Sequence, residues 1–83
     1  MALFMDSHTL TGGVKASDVA QAHRADLETQ DKYGVNYIRY WVDESAGRIF
    51  CLVDAPDAEA ANQVHREAHG LVAESIYPVI EGG

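Results

Sequence analysis

Val35-Asn36-Tyr37-Ile38-Arg39-Tyr40-Trp41-Val42 is the most strand-like stretch of the chain, dense in β-branched and aromatic residues. Asp43-Glu44-Ser45-Ala46-Gly47 follows it with the length of a hairpin turn and a Gly at its end. Arg48–Asp54 then reads as the returning strand. Upstream of this hairpin, Ser17 has the look of an N-cap, with Asp18 in the first turn where the helix dipole favours an acid. The helix it opens runs to about Tyr33 and stops at Gly34. Farther upstream, a short strand from about Ala2 to His8 precedes the breaker pair Gly12-Gly13. Downstream, Pro56-Asp57 begins a second helix with Asp57 as its N-cap. That helix carries Ala60, Ala61, Val64 and Ala68 on one face and closes at Gly70. The last extended segment, Ser75–Ile80, contains Pro78, which removes a ladder donor and assigns the segment to a sheet edge.

The order is β-α-β-β-α-β in one domain over residues 1–83. Its economical solution is a ferredoxin-like α+β fold, a four-stranded antiparallel sheet with two helices on one face. Right-handed crossovers place the first strand beside the third, with the second and fourth at the edges. Alternation predicts Ile38, Tyr40 and Val42 under the helices, with Tyr37, Arg39 and Trp41 on the open face. In the first strand it predicts Leu3 and Met5 inside, with Phe4, Asp6 and His8 on the open face, where Asp6 can meet Arg39. A face carrying Phe4, Tyr37 and Trp41 is too apolar to leave in water. A homodimer closing sheet on sheet, as a dimeric α+β barrel, would cover it.

Composition limits the function. Six Lys and Arg against thirteen Asp and Glu leave a net charge of −7, which works against nucleic acid and anionic membrane as partners. No apolar run approaches the roughly 20 residues that span a bilayer. Met1–Asp6 lacks the basic region of a signal peptide, so a cytoplasmic location is expected. The single cysteine, Cys51, excludes an intrachain disulfide and a cysteine zinc knuckle, and it suits a reducing compartment. Between Phe50 and Leu52 it reads as a small buried hydrophobe. A chain of this size buries only ~60–65% of its unfolded surface. With few large aliphatics and many Ala, it calls for support from a second subunit or a metal ion.

Four histidines in 83 residues are the chemical signal. His65-Arg66-Glu67-Ala68-His69 sets two imidazoles at i, i+4 on one helix face, where they can grip one divalent ion. It is not the zinc-protease pattern, in which Glu directly follows the first His. The topology brings the end of the first strand, with His8, to the same pole as the end of the second helix. His23 falls on the apolar stripe of the first helix beside Asp26, as a metal ligand, an outer partner of one, or a core histidine held by Asp26. Asp6 has the same ambiguity. The predicted metal residues are therefore His8, His65, His69, His23 and Asp6. Imidazole with carboxylate suits nickel, zinc or copper and is poor for magnesium or calcium.

Four segments together resemble a known family: Leu3-Phe4-Met5-Asp6-Ser7-His8, Ala22-His23-Arg24-Ala25-Asp26-Leu27, Phe50-Cys51-Leu52-Val53-Asp54-Ala55-Pro56 and His65-Arg66-Glu67-Ala68-His69-Gly70. They are similar to a bacterial family of small proteins of unknown function that includes nickel-binding proteins. The resemblance covers essentially the whole chain and implies a ferredoxin-like fold, dimerisation and nickel as the metal. The expected function is nickel sequestration, delivery or sensing. Two alternatives stand beside it. One is a small dimeric α+β barrel enzyme, monooxygenase- or isomerase-like, with Asp6, His8, Arg39, Tyr37 and Trp41 lining a pocket and His8 as acid/base. The other is a dimerising module without small-molecule chemistry.

Overall fold

A computed structural model describes Ala2–Gly83; Met1, the first residue of the predicted domain, lies outside the described residues. The elements run β1 (Ala2–Thr9), α1 (Ala16–Thr29) extended by a 3-10 turn (Gln30–Tyr33), β2 (Asn36–Asp43), β3 (Arg48–Ala55), α2 (Ala58–Ala68) and β4 (Ser75–Pro78). The strands form one antiparallel sheet in the order β2-β3-β1-β4, as the crossover rule requires, with the proline-bearing strand at an edge. Two helices and this sheet make the expected ferredoxin-like α+β fold.

The caps of the two helices differ. Asp57 caps α2 as read from the sequence, its carboxylate accepting the Ala60 N–H at 2.8 Å. Ser17 does not cap α1. The N-cap position is Lys15, two residues earlier, and the Ala16 N–H donates instead to Glu44 Oε2 at 2.8 Å, a cap supplied from the β2–β3 turn. The same turn holds the loop before α1, where Leu10 N–H donates to the Gly47 carbonyl at 2.7 Å. Gly47 sits at φ +70°, and a Cβ there would stand 2.0 Å from the Leu10 carbonyl oxygen, so the approach needs glycine.

The strand faces require two corrections. In β2 the pairing slips between Tyr37, opposite Val53, and Arg39, opposite Leu52. Ile38 is the extra residue of this bulge and is exposed, while Tyr37 turns under the helices and is buried. Beyond the slip the predicted alternation holds: Tyr40 and Val42 pack on the core, and Arg39 and Trp41 lie on the open side. In β1 the whole assignment is inverted. Asp6 and His8 are buried at 0% and 3% exposure and Phe4 packs against the core, while Met5 lines a groove on the open face with Leu52 and Trp41. Choosing Leu3 and Met5 as the inner pair followed hydrophobicity, and here the polar pair is inside. The predicted Asp6–Arg39 contact is therefore excluded, because the two side chains lie on opposite faces.

Candidate metal centre

The core between sheet and helices is thin and partly polar. The largest fully buried side chains are Tyr37, His65, Val53, Val64 and Asp6, and among the described residues no Leu, Phe, Met or Trp is buried. Polar groups in such a place are tolerated only when paired. Much of the pairing converges on Asp6. Its Oδ2 accepts from the Tyr37 hydroxyl at 2.8 Å and lies 2.9 Å from His65 Nε2, and its Oδ1 lies 3.3 Å from His8 Nε2. The Tyr37 hydroxyl also reaches the Ala61 carbonyl at 3.1 Å, which ties β2 and β1 to α2.

His65 faces a second carboxylate with its other nitrogen. Its Nδ1 is 3.0 Å from Asp26 Oδ1, and His69 Nε2 is 3.0 Å from the same oxygen. Asp26 is buried on the face of α1 that its neighbour His23 shares. The α2 pair at i, i+4 is thus joined through one carboxylate from α1. The His65 and His69 rings lie 5.0 Å apart, and the His8 ring stands edge-on to His65 at 4.8 Å.

These contacts set the charges. Burial alone would lower the pKa of His65, but its bonds to Asp26 and Asp6 overcome this and raise it to about 9. Both ring nitrogens of the resulting imidazolium donate, one to each carboxylate. For Asp6, burial pushes upward and is outweighed by the bonds from His65 and His8, so the carboxyl is held well below its ordinary range. Asp26 is lowered by the same balance, through His65 and His69. His23 is lowered, first by burial, with Asp26 opposing and His65 adding to the effect, so its imidazole is neutral at pH 7.

All four histidines, with Asp26 and Cys51, line one cavity of about 20 Å³, enough for a single water or ion. The lining leaves buried polar atoms unused: His8 Nδ1 and His23 Nδ1 have no hydrogen-bond partner. Two groups of donors are close enough to hold an ion, Asp6-His8-Cys51-His65 and Asp26-His65-His69, with ligand atoms within 4.8 Å of one another in each. The residue types and the unsatisfied atoms fit a borderline transition metal and fit magnesium or calcium poorly.

Of the residues singled out in the sequence, His8, His65, His69 and Asp6 come together and His23 lines the same cavity. Asp26, Tyr37 and Cys51 were not among the predicted metal residues, yet each touches the cluster or lines the cavity. The signal for Asp26 was the polar column His23, Asp26 and Gln30 on the α1 face turned to the core. Cys51 pairs directly with Asp6 across β1 and β3, so whichever face one occupies the other shares. The enzyme pocket expected from Asp6, His8, Arg39, Tyr37 and Trp41 does not exist as a set, since three of these are buried under the helices and Arg39 and Trp41 are outside.

The model of the SCO4226-like nickel responsive protein family matches residues 4–79. The chain belongs to that family. Its sheet and helices superpose on the crystal structure of SCO4226 from Streptomyces coelicolor A3(2) with a TM-score of 0.91 at 36% identity. The match covers 99% of this chain and 100% of that one. No curated protein matches the chain. Family membership and the site chemistry meet in one respect: a family described as nickel responsive presents here a cluster of imidazoles and carboxylates with unpaired donor atoms. Among the described residues, no helix is long and apolar enough to cross a membrane.

Proposed function

We propose that this protein binds nickel in the cavity between sheet and helices, through His8, His23, His65 and His69 with Asp6 and Asp26 in support. The observation that carries the reading is the convergence of every histidine in the chain on one ion-sized cavity, with two imidazole nitrogens left unpartnered. Buried polar groups are ordinarily satisfied, and a cation there would use atoms that otherwise cost stability. The family description favours nickel over zinc or copper. The role is sequestration, delivery or sensing rather than catalysis.

The working unit is a homodimer, closed through the open sheet face, where Met5, Leu52 and Trp41 border a groove of about 370 Å³ with Val79 and Ile80. Ile80 is 97% exposed in the single chain, and an apolar surface of this kind calls for a cover. A cytoplasmic location suits the free thiol, and the charge of −7 suits a cation as ligand better than nucleic acid.

Titration calorimetry on protein purified without a His-tag or nickel resin tests the site. Saturable nickel binding is expected, and it is lost when His65→Ala and His69→Ala are combined. Unchanged stoichiometry in the double variant would overturn the assignment.

A further inference from the structure

We infer that Cys51 is a ligand of the metal, so that the inner part of the site is a carboxylate, two imidazoles and a thiolate contributed by Asp6, His8, His65 and Cys51. The inference rests on the metal-binding reading above and adds to it a residue whose sequence context suggested only packing. A buried cysteine that serves as a hydrophobe is normally surrounded by apolar side chains. Cys51 lies in the apolar core with Val19, Ile49 and Val53, and it has polar neighbours as well. Its sulfur lies within 4.8 Å of donor atoms of Asp6, His8 and His65, and all four residues are buried. Each comes from a rigid element: Asp6 and His8 from the central strand β1, Cys51 from its neighbour β3, and His65 from α2.

Register explains why the group exists. Asp6 pairs with Cys51 and His8 with Ile49, so Asp6, His8 and Cys51 share the helix-covered side of two adjacent strands. Val64 and His65 of α2 are buried against that side.

A second, independent feature points to a cation there. His8 Nδ1 is buried without a hydrogen-bond partner in a residue 3% exposed, and Asp6 Oδ1, in a residue 0% exposed, has only its 3.3 Å contact with His8 Nε2. Cys51 and His8 both line the ion-sized cavity. An ion taken up here would accept a lone pair from Sγ, whose proton leaves to the medium. A thiolate added to imidazole and carboxylate biases the site further toward nickel, zinc and copper and away from hard cations such as manganese and magnesium.

The test uses the full chain, untagged, loaded with nickel(II) alone, and compares it with Cys51→Ser and Cys51→Ala. Serine preserves a small donor beside Asp6 and removes only the sulfur. The expected result is a near-ultraviolet sulfur-to-nickel charge-transfer band in the unaltered protein that is absent from both variants. X-ray absorption at the nickel edge should show a sulfur scatterer that disappears with it. Nickel affinity should fall in both variants by at least the roughly 10–100-fold that loss of an outer partner of a ligand costs. Thermal unfolding without metal shows whether each variant is folded, and Cys51→Ser serves as the measurement if Cys51→Ala is not. Stoichiometric nickel binding with no charge-transfer band and no sulfur scatterer would overturn the role of Cys51 while leaving the metal site standing. Affinity restored to the original level by serine would overturn it too, since Cys51 would then act only as a hydrogen-bond donor to Asp6. No nickel uptake by the unaltered protein would overturn the metal reading and this inference together.

Discussion

The two faces of the sheet differ in what each adds to an ordinary arrangement. The face under the helices holds Asp6, His8, Tyr37 and Cys51, three of them polar and all of them buried. The open face holds Met5, Leu52 and Trp41, with Trp41 45% exposed. The inner face is otherwise apolar, with Ile49, Val53 and Ala55 buried beside this polar set. The difference teaches that the inner face admits a paired polar cluster into an apolar core, while the outer face leaves large apolar side chains in water.

The largest test of this contrast sets two neighbours in β1 against each other. Asp6→Ala removes the carboxylate that Tyr37, His65 and His8 all face and leaves a buried imidazolium half unpaired. A cost of about 3–5 kcal/mol is expected, as for one member of a buried ion pair. Met5→Ala removes a larger apolar side chain from the open face and should cost far less. Urea unfolding of the metal-free proteins compares the two, and equal losses would mean that the polar network contributes no more than ordinary packing.

The pH dependence of the metal-free protein comes next in size. The pKa of His65 is raised from 6.5 to about 9 in the folded chain, so its stabilising contribution is complete below about pH 6.5 and is lost as pH rises through 9. Asp6 and Asp26 are lowered, so theirs is complete above the ordinary carboxylate range and is lost on acidification. His23 is lowered, so the fold loses stability as pH drops below about 6.5 and the unfolded imidazole takes up its proton. Stability should therefore be greatest at about pH 6.5. It should decline by up to roughly 3 kcal/mol toward pH 9.5 as the imidazolium loses its proton. Thermal unfolding across this range measures it, and Asp26→Asn should flatten the alkaline limb. Open-face substitutions should leave the shape of the profile unchanged. A flat profile in the unaltered protein would mean that His65 is neutral between its two carboxylates.

A smaller effect isolates one hydrogen bond of the inner face. Tyr37→Phe keeps the ring against His65, at 4.5 Å between centroids, and removes only the hydroxyl that bonds Asp6 and Ala61. A loss of about 1–2 kcal/mol is expected in the same urea measurement.

Which features were readable in the sequence follows from the same contrast. Element order, the Asp57 cap, the Gly34 stop and the edge position of Pro78 all depend on local chemistry, and each was legible. The histidines His65 and His69 were legible because helical spacing is itself a geometric statement. The faces of β1 were not. Alternation gives two sets, Leu3-Met5-Ser7 and Phe4-Asp6-His8, and only a rule about which set goes inside can choose between them. The hydrophobic rule fails where the core holds a paired polar cluster, and it took Asp6 and His8 outward with it. Tyr37 was lost for another reason: the slip after it reverses parity, and nothing in Tyr37-Ile38-Arg39 marks a bulge. The polar column His23, Asp26 and Gln30 did announce a polar interior, since a helix does not normally turn such a stripe to its core without partners waiting there.

The outer face provides the smallest effect on chain stability and the largest on assembly. Trp41→Glu places a charge beside Met5 and Leu52 without touching any residue of the histidine-lined cavity. Within one chain the change should stay near 0.5 kcal/mol, as for other exposed positions. Between chains it would bury an unpaired carboxylate in the proposed face-to-face pairing, once in each half of the interface. Sedimentation equilibrium should show the unaltered protein as a dimer and the variant as a monomer, and nickel titration should show the same stoichiometry per chain in both. A variant that stays dimeric would place the interface elsewhere on the molecule. A variant that becomes monomeric and loses nickel would join the two faces into one device, because the inner site would then need the second subunit to hold its shape.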